Sequence, residues 1–164
     1  MFIKRLQILF FTVTLLALII LGYNWYKNYQ FNTNPLSKEI MQRIHQKELM
    51  LKQKAKEYYS INTSIPILIS NKMPSRLFGV ATTNGKKIAV YLNKKRFQES
   101  VDYMIDNVLP HEYAHAIMFK LGFLTNKNGG HTIKWQQICI NLGGIKCDRF
   151  VNHEDILINK IPGY

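Results

Sequence analysis

The feature that most restricts this chain is the string Val108-Leu109-Pro110-His111-Glu112-Tyr113-Ala114-His115-Ala116-Ile117-Met118. Histidines four positions apart share one face of a helix about one turn apart, so both imidazoles can reach a single ion. Apolar residues surround the pair on nearly all sides, so the helix must lie inside a core rather than on a surface. With five His and six Glu in 164 residues, H-E-x-x-H arises by chance in roughly one shuffled chain in two hundred. A coincidental surface helix is the competing explanation, and the apolar setting argues against it.

Glu112 directly succeeds the first histidine. It is close enough to hydrogen-bond a metal-bound water without ligating the metal, and a carboxylate there can act as general base. A catalytic zinc needs a third protein ligand and one open position. The candidates are His131, His153, Glu154 and the carboxylates of the preceding helix. No G-x-x-H comes after the second histidine. His131 is the expected ligand, because Gly129-Gly130 lets the chain turn sharply before it and Trp135 lies one turn beyond, placed to pack beneath the active helix. His153 is expected to be a supporting or surface residue. The site is thus expected to hold one Zn2+ per chain on His111, His115 and His131, with Glu112 as the catalytic residue.

The N-terminus sets a second constraint. Lys4 and Arg5 precede an apolar run from Ile8 to Leu21, and Tyr23, Trp25 and Tyr26 lie just beyond it. Basic flank, apolar stretch and aromatic belt are the order of a segment entering a bilayer. Leu6 to Tyr26 is long enough to cross ~30 Å of hydrocarbon. A cleaved signal peptide and a buried helix are the alternatives; the end of the run lacks the paired small residues of a good cleavage site. The expected arrangement is a single-pass anchor with the N-terminus cytoplasmic and the remainder outside, at a bacterial inner membrane facing the periplasm, although Lys27 and Lys38 on the far side weaken that orientation. Residues 1–29 then form tip and anchor, 30–36 a polar linker, and 37–164 one domain.

Lys+Arg number 22 against 10 Asp+Glu, a formal charge of +12. That excess favours anionic partners such as nucleic acid, lipid headgroups or acidic proteins, or simply reflects solvated lysines. Cys139 and Cys147 are too few for a disulfide framework or a four-cysteine zinc site; one bridge and two buried thiols both remain open.

Within the domain, Ser37 reads as the N-cap of a helix to about Tyr59, with Ile40, Ile44, Leu51, Ala55 and Tyr58 near one stripe. Pro66–Ser70, Leu77–Thr82 and Lys86–Leu92 read as strands, the last two joined by Asn84-Gly85, both tolerant of positive φ. A long helical pattern runs from about Glu99 to Leu121, stopped by Gly122, with Pro110 expected to kink it or delay its regular part. A last helix is expected over His131–Leu142, ending at Gly143-Gly144. The order helix, small sheet, helix, helix defines an α+β domain.

Residues Val108 to Glu154 resemble the SprT-like zinc metalloproteases, the family of bacterial SprT and eukaryotic Spartan. The likeness rests on VLPHEYAHAI, GGHTIKW and CDRFVNHE, and upstream on Phe78-Gly79-Val80-Ala81, Ile88 and Leu92-Asn93. It implies a minimal zincin-like fold, zinc, and hydrolysis of peptide bonds in a protein or peptide substrate. The zinc ribbon of many members is missing, and a leading membrane segment is not usual among them. An exported domain would not meet chromosomal DNA, so the DNA-repair role of Spartan relatives is not carried over and nucleic acid is a less favoured partner. In such folds substrate usually lies along a sheet edge, here the hairpin Leu77–Leu92. Tyr113, Arg149 and His153 are equal nominees for stabilising an oxyanion. A catalytically inactive zinc-binding adaptor and a basic nucleic-acid- or lipid-binding module are the other readings. Sequence says nothing of oligomeric state.

Overall fold

The computed structural model describes residues 2–62, 64–123 and 130–148. The chain divides after Leu36 into two units. The first is a single helix, α1 (Phe2–Thr33), none of whose residues is buried. It continues through the polar stretch expected to be linker, because Asn32 and Thr33 side chains bond back to the carbonyls of Asn28 and Tyr29 and no glycine or proline lies between Gly22 and Pro35. It is long and apolar enough to cross a membrane.

The second unit is α+β. Its first helix, α2 (Lys38–Tyr59), starts where Ser37 Oγ accepts a hydrogen bond from the Ile40 N–H and ends at Ser60 in the left-handed region. Ile44, Leu51 and Ala55 form its buried stripe. Fully burying a side chain such as Leu51 stabilises the fold by about 1.5–3 kcal/mol. Tyr59, rather than the exposed Tyr58, turns inward, and its hydroxyl accepts a hydrogen bond from Asn141 Nδ2 at 2.8 Å.

Three strands come next: β1 (Ile67–Ser70), β2 (Gly79–Thr83) and β3 (Ile88–Asn93). β3 is central, parallel to β1 and antiparallel to β2. The β2–β3 turn has four residues rather than two. Only Gly85 takes positive φ (83°), while Asn84 uses its side-chain oxygen to accept from the N–H groups of Lys86 and Lys87. That Asx-type bonding stabilises the longer loop.

The entry to β2 is held by the end of β3 and the 3₁₀ turn over Lys94–Gln98. Asn93, fully buried, donates from Nδ2 to the carbonyls of Pro74 and Leu77. Arg96, within the 3₁₀ turn, donates to the Ser75 carbonyl and stacks on the Phe78 ring at 4.2 Å.

The long helical pattern is realised in three registers: a single turn α3 (Val101–Tyr103), a π-helical segment Met104–Val108, and α4 (Leu109–Lys120). Pro110 explains the sequence of registers. It has no N–H to give and its ring would press on the carbonyl four residues back. The wider turn, with the Leu109 N–H bonded to the Met104 carbonyl, takes up the mismatch before the regular helix begins. α2 is tied to this region by Arg43–Asp102 (2.6 Å) and Lys47–Asp106 (2.8 Å). The core of the unit gathers on α4, which packs against β2, β3 and α5 (Ile133–Asn141). Gly122 at φ 69° ends α4, and Gly143 at φ 83° lies just past α5. Cys139 and Cys147 are joined by a disulfide that closes the turn beyond α5.

Candidate metal centre

α4 is buried on nearly every side as far as Met118, including Leu109, Pro110, Tyr113, Ala114, Ala116, Ile117 and Met118. This placement presents His111 and His115 inward toward α5. His131 does not lie on α5 as expected from sequence. Thr132 is the N-cap, its hydroxyl accepting from the Trp135 N–H, and His131 stands just before it, after Gly130 at φ 81°. Outside the helix its ring can swing toward α4. The result is convergence: Nε2 of His131 lies 3.0 Å from Nε2 of His115 and 3.1 Å from Nε2 of His111.

Trp135 walls this cluster. Its ring centroid is 4.6 Å from those of His111 and His131, and it stacks on His115 at 5.2 Å and 26°. His111 is buried and the other two histidines are half-buried. Burial, then the nearby His131, lowers the pKa of His111 to about 4. Burial, then His111 and His131, lowers that of His115 to about 3. Neutral imidazoles are what a metal requires. Three nitrogens on a tetrahedral zinc at ~2.05 Å would stand ~3.3 Å apart, close to the spacing here. The donor set fits zinc.

Glu112 faces the sheet beside this cluster. Its Oε2 accepts a hydrogen bond from the Ala81 N–H at 3.1 Å. Burial raises its pKa to about 7, against the lowering effect of that N–H. A carboxyl so poised can hold or release a proton near neutrality. The strand reaches it closely only because position 79 is glycine: a Cβ there would meet Glu112 Cγ at 2.6 Å, the Tyr91 carbonyl oxygen at 3.2 Å and Val108 Cγ1 at 3.2 Å.

The sequence model of the SprT-like family matches residues 38–154. The chain belongs to the SprT-like family. Comparison with curated proteins and with solved structures found no match. The match takes in α2, the sheet, α4, His131 and α5, and leaves α1 outside it.

Of the remaining candidates on this SprT-like domain, Tyr113 is fully buried. Its hydroxyl is engaged by a backbone hydrogen bond with Ile65, and burial, then the Glu48 charge, lifts its pKa to about 12. It is therefore not placed to stabilise an oxyanion at the cluster. Arg149, His153 and Glu154 lie outside the described residues. Reading the sequence alone missed the Gly79 and Ala81 contributions to Glu112. The only signal was a glycine inside the expected strand, which marks close backbone approach without saying to what.

Proposed function

We propose that this protein is a zinc-dependent metallopeptidase of zincin-like architecture, in which His111, His115 and His131 hold one zinc ion and Glu112 is the general base. The observation that carries the reading is the convergence of three Nε2 atoms, two pairs of them at 3.0 and 3.1 Å, beside a buried carboxyl. When bound, zinc supplies a Lewis acid that polarises a carbonyl and brings the pKa of water down toward about 7.

The chain's own residues do the rest. Trp135 fixes the three imidazole planes and keeps water from their rear. The Ala81 N–H orients Glu112 so that its carboxylate can receive the nucleophile's proton and later return it to the leaving amine. Phe78 on the approach to β2 gives its carbonyl to the Asn93 N–H of β3. By strand alternation Gly79, Ala81 and Thr83 turn their main-chain groups to the other edge, where the Ala81 N–H already donates to Glu112. That edge is the lane on which a peptide substrate would lie as an added strand, close to Glu112. α1 serves as a single-pass anchor, its N-terminus cytoplasmic and the catalytic domain outside; the Lys4-Arg5 flank and the aromatic belt support this.

The deciding experiment is Glu112→Gln in the full chain. It should retain one zinc per chain and lose at least about 10²-fold in peptide hydrolysis. Zinc bound with no hydrolysis even by the unaltered chain would make the domain a zinc-binding adaptor instead.

A further inference from the structure

We propose that a second site, separate from the histidine cluster, binds a phosphate-bearing anion in the cavity between the β2–β3 turn and the end of α4. The cavity is about 270 Å³, and Lys86, Lys87, Lys120 and Ser64 surround a floor that includes Ile65 and Ile88. Three lysines from two distant parts of the chain therefore line one space, and among the described residues no carboxylate lines it. The turn that carries two of them is built rather than loose. Asn84 bonds both lysine N–H groups and Gly85 supplies the positive φ the turn needs.

Charge distribution along the chain points the same way. From Tyr58 to Gln98 there are seven Lys+Arg and no Asp or Glu; from Tyr113 to Cys147 there are four Lys and again no Asp or Glu. Both walls of the cavity thus come from segments without a single acidic residue. Lysine thus dominates the charge of both wall-forming segments, and an anion is what such a field attracts.

The cavity is also distinct from the proposed catalytic edge. Its strand residues precede β1 and open β3, whereas Ala81 and Glu112 meet at β2, on the opposite side of β3. Ammonium groups bind phosphate as point charges with three donors each, and the Ser64 hydroxyl adds another donor. The size suits one phosphate with a small substituent. A nucleic-acid strand would want a longer groove with aromatic platforms, and no aromatic side chain among the described residues lines this cavity. The shared chemistry is a phosphate ester, either of a soluble small molecule or of an anionic phospholipid headgroup.

The test uses the full chain in micelles of a neutral detergent. Lysine acetylation rates are read residue by residue by mass spectrometry, with glycerol phosphate as the soluble probe and phosphatidylglycerol mixed into the micelles as the lipid probe. Acetylation of Lys86, Lys87 and Lys120 should slow several-fold while Lys52 and Lys56 on α2 react as before. Protection by both probes assigns the site to the phosphate ester itself; protection by the lipid alone assigns it to a headgroup. The combined Lys86→Gln, Lys87→Gln, Lys120→Gln chain should keep its zinc content and lose any rise in thermal midpoint that the probes give. If that triple variant does not fold, Lys120→Gln alone serves. Equal slowing at all five lysines, no slowing, or protection by an oligonucleotide only would each overturn the proposal.

Discussion

Replacing Gly79 by Ala tests whether the sheet sets the position of Glu112. The added Cβ would stand 2.6 Å from Glu112 Cγ, with the Tyr91 carbonyl and Val108 Cγ1 each at 3.2 Å, so the methyl cannot slide to one side. Tyr91 O belongs to the central strand and cannot yield easily, and Val108 is fully buried. Glu112 must therefore move, which breaks or lengthens its 3.1 Å bond from the Ala81 N–H. Gly79 has no positive φ, so the effect is steric rather than backbone strain. Overpacking of this kind costs about 1–3 kcal/mol. For a domain of this size that is a fall in thermal midpoint of about 3–10 °C. A base displaced by even ~1 Å should cost roughly 10²-fold in turnover. The close contacts of the new methyl include no histidine, so zinc content should stay near that of the unaltered chain. The assay is a set of three readouts on one preparation: metal per chain, thermal midpoint and peptide hydrolysis. Wild-type turnover and midpoint in Gly79→Ala would refute the claim that strand β2 positions the carboxyl.

Three further outcomes are expected. His131→Ala should remove most of the zinc measured per chain, since two imidazoles alone make a weak site; full occupancy and activity would exclude His131 as the third ligand. The full chain should stay in the membrane fraction after carbonate or high-salt washing, because salt releases only electrostatically held protein, and it should keep its 19.2 kDa mass; a soluble, shortened product would indicate a cleaved leader. Purified without reductant, the chain should resist alkylation at Cys139 and Cys147 and gain two mass units only after reduction; free thiols in exported protein would contradict the bridge.

The reach of an interaction decides whether the sequence reveals it. The helix carrying His111 and His115, its stop at Gly122 and the Ser37 cap depend on residues within one or two turns of each other. Their signals are local and readable. The same holds for His131, whose turn is announced by glycine just before it. Contacts between segments distant in the chain are not readable. Tyr59 and Tyr58 differ by one position, and only the location of Asn141 on α5 decides which faces inward. The β2–β3 turn is four residues long because Asn84 bonds Lys86 and Lys87, which no strand pattern encodes. Pro110 announces the π-helical turn only as an irregularity. Its type depends on which carbonyl the Leu109 N–H finds.

The histidine cluster and Glu112 pose opposite electrostatic demands, and the fold meets both with short elements. Three imidazole nitrogens at hydrogen-bond distance cannot all carry protons, and burial holds His111 and His115 neutral, so the cluster presents lone pairs to a common point. Glu112, one residue along α4, is pushed the other way and tends to keep its proton. A cation at the common point would relieve both at once, ligated by the imidazoles and stabilising the carboxylate by its charge. The single N–H from Ala81 is then enough to fix which way the carboxylate faces. Trp135 holds one side of the cluster from α5, so packing alone orients the three imidazoles. Residues with no chemistry of their own, Gly79 and Trp135 above all, are for that reason as necessary to the site as the groups that would react.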